Sequence, residues 1–414
     1  MAQTDYSEAF LLAIPKSDLH VHLDGSLRLP TLIELARERR VGLPSETPEG
    51  LQELVFKESY RDLPDYLHGF AYTCAVLTDE EALERSAYEL AEDCLAEGVR
   101  YAEVRFAPQL HVRAGLDVGR VLQAVDRGLD RARREHEAGE GVRLGGEPPF
   151  RYGIIACAVR MFTAKFSPYY QDLLAVLHGW PVREVFGVAS MSLARAVVEA
   201  RDRLGLPVVG FDLAGAEAGH PASDHISAYA FVHRHFLKKT VHAGEAYGPE
   251  SIFQAITKLN ADRIGHGTHL YAAHLVKDPE PERYVRQLAE YIAHRRITLE
   301  VCITSNLQTM PELRRVSDHP FGRMLRERLS VALCTDNRLV SRTSVARELA
   351  QACAAFDMTP SELRNVVIYA FKRSFFPGTY REKRGYVRRV IEHYDAVAAA
   401  HGLAPAEEQP AAAS

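Results

Sequence analysis

The chain has 414 residues, of which 47% are hydrophobic and 25% charged, the balance of an ordinary globular protein with ample apolar material for a large core. A formal charge of -5 at pH 7 gives no electrostatic basis for binding nucleic acid or an anionic membrane. No apolar stretch approaches the ~20 residues needed to span a bilayer.

The first apolar run, Phe10-Leu11-Leu12-Ala13-Ile14, follows Asp5 and Glu8 rather than basic residues, so it does not read as a signal peptide. Residues 16–29 then read KSDLHVHLDGSLRL. Residues i and i+2 of a strand share a face, so a strand through Leu19 and Val21 aims His20 and His22 at one spot. Neutral imidazoles are good zinc or iron ligands. The pair ends where Asp24-Gly25-Ser26 turns toward a helix with an early Pro30. A long helical region is expected over 51–97, stopped by Gly98. Its Tyr60, Leu63, Tyr66, Phe70 and Tyr72 suit either a helix core or a lid over the loop ends of the strands. Residues 99–106 alternate with period two and predict a second strand.

A helix over 119–137 gives way to a Gly- and Pro-rich loop at 139–149. RYGIIACAV, 151–159, is the near-continuous apolar run of a strand buried on both faces of a parallel sheet. A helical stretch reaching 204 leads to a fourth strand at 207–213. Strands five to eight follow at 239–243, 262–266, 297–302 and 330–335, with helix-compatible segments such as 251–259 and 282–295 between them. Strands alternating with helices, with no linker-like break, predict an α/β chain whose residues 1–403 form a single (β/α)8 TIM barrel with additional helices. Two helices are expected after the last strand, one from about Thr343 and one where Thr359-Pro360-Ser361-Glu362 spells a capping box. Residues 404–414 read as a disordered tail. The six cysteines form no C-x-x-C pair, which fits a reducing cytoplasm, and Cys302 and Cys334 read as strand packing residues.

In such a barrel the active site lies at the carboxyl ends of the strands. The first strand ends in His20-Val21-His22, the fifth in His242-Ala243-Gly244-Glu245, the sixth in His266-Gly267 and the eighth in Asp336-Asn337. Three histidines and a carboxylate suit a divalent metal, Zn²⁺ foremost, with a bound water whose pKa falls to about 7. Glu245 lies three residues past His242, where it can face a substrate without joining the metal. A carboxyl in a closed pocket has a raised pKa and can donate a proton. His233-Arg234-His235 is another H-x-H, but its surroundings read as helix, where i and i+2 do not face each other. It reads as structural, as do His269 and His274, which lack strand-end partners. Thr304-Ser305-Asn306 reads as a neighbour of the metal site with no part in the chemistry.

The strings SDLHVHLDGS, FDLAGAE, VHAGE, RIGHG, CITSN and CTDN, in this order, resemble the adenosine deaminase family of the amidohydrolase superfamily over about residues 16–345. The resemblance implies one Zn²⁺ per chain, held by His20, His22, His242 and Asp336. It also implies that zinc-bound hydroxide attacks C6 of a 6-aminopurine nucleoside while Glu245 protonates N1. His266 would orient and deprotonate the water, and Asp336 would hold it on the attacking face. His22, Asp24, Gly215 and Asn337 would meet the substrate, with the Gly215 backbone at purine N3 and Asp24 at the ribose 5′-hydroxyl. Ammonia leaves, so adenosine or 2′-deoxyadenosine becomes the inosine product. Asp24 and Gly215 also have plain readings, as a turn residue and a loop glycine.

Asn337 stands where the family pattern has a second Asp, although an amide can still donate to N7. Ala216 stands where many members carry Asp. The 139–149 insertion and the aromatic stretch near Tyr60 also diverge. These departures leave the reaction type intact and the nucleoside open. Adenine, a modified adenosine or aminodeoxyfutalosine are alternative substrates, and a non-catalytic nucleoside-binding barrel is an alternative of another class. The expected partner is a small-molecule purine nucleoside, with no nucleic acid and no membrane; the sequence does not give the oligomeric state. The other zinc deaminase scaffold, built on H-x-E with P-C-x-x-C, is excluded because neither string occurs.

Overall fold

The computed structural model describes residues 6–403, so the tail expected at 404–414 lies outside the described residues. Eight strands form where the sequence places them: β1 Lys16–His22, β2 Val99–Phe106, β3 Arg151–Val159, β4 Val208–Ala214, β5 Lys238–Ala243, β6 Arg263–His266, β7 Thr298–Val301 and β8 Val331–Leu333. Each pairs in parallel with the next in chain order. The barrel closes just past β8. There the Asp336 N–H donates to the His20 carbonyl at 2.8 Å, and the His22 N–H donates to the Asp336 carbonyl at 2.7 Å. This closure sets Asp336 between two histidines that lie more than 300 positions earlier in the chain. All of β1 is buried and β3 nearly so, as expected of parallel strands covered by helices.

Region 51–97 is helical as expected, with breaks that the sequence reading did not place. It breaks into Pro48–Leu54, Leu63–Leu67, Phe70–Val76 and Glu80–Ala96. Asp62 accepts from the Asp65 N–H and Asp79 from the Ala82 N–H, each with extended backbone of its own. An Asp cap satisfies the first free N–H groups of one helix and ends the path of any helix before it. The stretch up to 204 divides in the same way into Pro168–Val176 and Val182–Asp202, with Pro181 at the break. After β8 the two expected helices, Val345–Phe356 and Pro360–Arg373, are joined by a third, Tyr380–Ala400. Its Thr379/Glu382 capping box repeats that of Thr359/Glu362. Tyr386, Val390, Tyr394 and Ala398 are buried along it at four-residue spacing, one stripe of an amphipathic helix. Among the described residues no helix is long and apolar enough to cross a membrane.

Candidate active site

Period-two geometry puts His20 and His22 on one face at the end of β1, and β5 brings His242 against both. His22 Nε2 lies 3.2 Å from His242 Nε2. Asp336 Oδ1 lies 3.4 Å from His20 Nε2 and 3.5 Å from His22 Nε2. The edge of a tetrahedron with zinc–ligand bonds of about 2.0–2.1 Å is roughly 3.4 Å. His20 Nε2 is buried without a hydrogen-bond partner. Three imidazole nitrogens and a carboxylate oxygen at these separations, one of them orphaned, fit a divalent cation.

The far side of each ring explains why these nitrogens converge. His20 Nδ1 sits 2.9 Å from Glu300 Oε2 and His242 Nδ1 sits 3.0 Å from Asp212 Oδ2. A carboxylate on Nδ1 holds the proton there and leaves the Nε2 lone pair facing the site. Arg105 joins the two carboxylates, at 2.9 Å to Asp212 and 2.8 Å to Glu300, and Arg263 reaches Glu300 at 2.7 Å. Burial opposes charge on both acids. Arg105 and Arg263 outweigh it at Glu300, and His242 and Arg105 at Asp212, holding both carboxyls below the usual range. At Gly265 a Cβ would come within 3.0 Å of His20 Cε1, so the glycine of RIGHG makes room for a ligand-type imidazole.

Beside this cluster Glu245 is buried, with Oε1 3.6 Å from His266 Nε2. Burial, then the charges of Asp336 and Glu217, push its carboxyl well above the usual range, which favours the protonated acid. Glu217 fixes the loop itself. It accepts from the N–H groups of Gly244 at 2.8 Å, Glu245 at 3.0 Å and Ala246 at 2.7 Å, and from the Ser251 hydroxyl. His266 and Asp336 adopt φ of 64° and 60°, a left-handed conformation costing non-glycine residues on the order of 1 kcal/mol or more. Their side chains are tied down: Ser305 Oγ donates to Asp336 Oδ2 at 2.6 Å, and Asn306 Nδ2 lies 3.1 Å from His266 Nδ1.

Above the cluster opens a cavity of about 1120 Å³, slightly larger than the roughly 300–1,000 Å³ usual for small-molecule sites. His22, Asp24, His242, Glu245, Asp336 and Asn337 supply polar surface at its inner end, His68, Arg113, Lys165, Ser167 and Gln171 add further polar groups, Leu63, Leu67, Phe70 and Met161 form part of its apolar wall, and Gly215 and Ala216 lie along it. Gly215 has φ 97°, which a glycine adopts without strain. Helices Leu63–Leu67 and Phe70–Val76 cover the strand ends, as the lid reading expects, and Tyr66 is also buried core. Asn337 Nδ2 donates to the Tyr66 hydroxyl at 2.8 Å while its Oδ1 has no partner. A reversed amide would accept from Tyr66 and turn its N–H groups to the cavity. Gly25 gives the amide space, since a Cβ there would lie 1.9 Å from Asn337 Oδ1. Asp24 is buried with Oδ1 unpartnered, and burial raises its carboxyl to about 7.

The structure thus brings every predicted site residue to one end of the barrel, with His20 and His266 beneath the cavity floor. His233 lies exposed on the helix Ile226–Arg234 and Cys302 and Cys334 are buried in packing, as expected. His269 hydrogen-bonds the Gly244 carbonyl through Nδ1 at 3.3 Å, a structural contact. Glu300, Arg105 and Glu217 were not singled out from the sequence. Their one signal is a charge inside, or just after, an apolar strand.

The family model described as adenosine deaminase matches residues 15–167 and 182–393. An adenosine deaminase of Mycobacterium avium is 36% identical over 385 residues, 91% of this chain and 94% of its own length. Adenosine deaminase 1 of Streptomyces coelicolor is 35% identical over 381 residues, 91% and 86% of the two lengths. A zinc-bound amidohydrolase structure from Burkholderia ambifaria shares the fold at 19% identity, with a TM-score of 0.76 over 97% of each chain. The chain belongs to the adenosine deaminase family.

Proposed function

We propose that the protein hydrolytically deaminates adenosine and 2′-deoxyadenosine at purine C6, giving inosine and 2′-deoxyinosine respectively, with ammonia. The observation that carries this reading is Glu245: a buried carboxyl with a raised pKa, beside an imidazole–carboxylate cluster at the floor of a cavity with room for a nucleoside. His20, His22, His242 and Asp336 would hold one Zn²⁺ per chain. When bound, zinc supplies a nucleophile at neutral pH by lowering the pKa of water to about 7. Glu245 gives its proton to purine N1, which makes C6 electrophilic. His266 and Asp336 orient the water on one face of the ring. The Gly215 backbone meets N3, Asn337 turns an amide N–H to N7, and Asp24, next to His22, accepts from the ribose 5′-hydroxyl. The apolar wall excludes bulk water from the ring. Relatives named adenosine deaminase at 35% and 36% identity support the nucleoside. The barrel of residues 1–403 acts as one catalytic unit, and six free thiols favour the reducing cytoplasm.

The test is the ultraviolet absorbance of adenosine with purified zinc-replete protein, with ammonia assayed and 2′-deoxyadenosine, adenine and 5′-substituted adenosines in parallel. Fast spectral loss on adenosine is expected. Silence there beside rapid turnover of another 6-aminopurine compound would move the substrate assignment, and silence on all of them would favour a binding barrel.

A further inference from the structure

We infer that His319, acting through Asn306, fixes His266 with its proton on Nε2, so that His266 serves the reaction as a hydrogen-bond donor and not as the base for water. The inference deepens the deaminase reading and rests on it for the reaction step alone.

The polarity of the relay starts from a group that can only donate. The backbone N–H of Phe321 lies 3.0 Å from His319 Nδ1, so that nitrogen carries the lone pair and the proton sits on Nε2. His319 Nε2 lies 3.2 Å from Asn306 Oδ1. An N–H pointing at the amide makes Oδ1 the acceptor, which places the Nδ2 donor on the other side. Asn306 Nδ2 lies 3.1 Å from His266 Nδ1, so Nδ1 accepts and the proton of neutral His266 is on Nε2. Turning the amide over would set N–H against N–H at His319. All three side chains are buried, so water does not offer a different pattern. The relay crosses three elements: His266 ends β6, Asn306 lies in the helix Ile303–Thr309, and His319 follows the short turn Val316–Asp318.

His266 Nε2 itself has no partner and lies 3.6 Å from Glu245 Oε1. An N–H there can donate to an oxygen between the two side chains. It has no lone pair with which to take a proton or bind a metal. His266 Nε2 therefore stands apart from the ligand nitrogens of His20 and His242, even though the groups lie within 4.8 Å of one another. The base role expected from the sequence gives way to a donor role. Asn306 and His319 are positioning residues, since neither lines the cavity.

The test is long-range proton–nitrogen correlation on the zinc-loaded full chain labelled with ¹⁵N-histidine, with the His266 signals identified by their loss in His266→Gln. A protonated Nε2 and bare Nδ1 are expected for both His266 and His319. Asn306→Asp replaces the donor with an acceptor and moves the His266 proton to Nδ1. Its kcat falls roughly 100-fold, the scale of one lost catalytic donor, with KM nearly unchanged. His319→Leu leaves the amide free to turn and lowers kcat, while His319→Gln, which still offers an N–H to Asn306, restores much of it. Zinc content and thermal midpoint are measured on each variant to separate unfolding. A wild-type His266 protonated on Nδ1, or an unchanged tautomer in Asn306→Asp, overturns the inference. The expected tautomer in a protein silent on adenosine overturns the substrate assignment and leaves the relay standing.

Discussion

Asp212 holds His242 Nδ1 at 3.0 Å and Arg105 at 2.9 Å through the same carboxylate oxygen. One buried acid therefore sets the tautomer of a ligand-type histidine and ties it to a guanidinium that also grips Glu300. In Asp212→Asn the side chain keeps its shape and loses its charge, so His242 no longer has a carboxylate fixing its proton on Nδ1. Zinc affinity is expected to fall 10–100-fold, the usual cost of losing such a partner, as read by competition with a chromophoric chelator. Affinity equal to wild type would show that the ring is oriented by something else.

Glu245→Gln preserves size and removes the titratable proton. The variant should retain full zinc, because no ligand is touched, and lose about 10²–10⁴-fold in kcat. Metal analysis and steady-state kinetics on the same preparation separate the two effects. Turnover within a few-fold of wild type would remove Glu245 from proton donation.

The pH profile follows from the same residue. Burial and the charges of Asp336 and Glu217 raise the Glu245 carboxyl well above its ordinary range. Only the protonated acid donates, so kcat should hold below the raised value and fall as pH rises through it. Glu217→Gln takes away one of the charges that favour the protonated form. Its alkaline limb should therefore lie at lower pH than that of wild type, in kcat measured across buffers of constant ionic strength. A limb that stays in place would assign it to another group.

The barrel and its metal-type cluster were legible because each strand is a short apolar or alternating run, and the ligand-type residues sit where those runs stop. His20 and His22 need only the period of a strand to converge. The acids behind them were not legible in the same way. Glu300 reads as one charge in a strand, and nothing local says that it lies across the barrel from Arg105. The helix breaks at Asp62 and Asp79 were missed because apolar periodicity runs across a cap without registering it. His319 belongs to no motif and acquires meaning only through Asn306.

Tyr66 links the covering helix to the strand ends. Its hydroxyl lies 2.7 Å from Ser341 Oγ, accepts from Asn337 at 2.8 Å and sits 3.5 Å from Asp336 Oδ2. Tyr66→Phe removes that oxygen and leaves the ring, which is 1% exposed, in its packing. The Asn337 amide then loses its neighbour on the side away from the cavity, the hydroxyl from which the reversed amide accepts when its N–H groups face N7. A lost buried hydrogen bond is worth about 1 kcal/mol, which corresponds to roughly a fivefold rise in KM for adenosine. Zinc content should not change and kcat should change little, because Asp336 loses only its long contact and keeps the hydrogen bond from Ser305 at 2.6 Å. Initial rates across adenosine concentrations give the two parameters separately. A loss in kcat with KM unchanged would place the Tyr66 hydroxyl with Asp336 at the reacting end of the cavity instead of with Asn337 at its substrate-binding side.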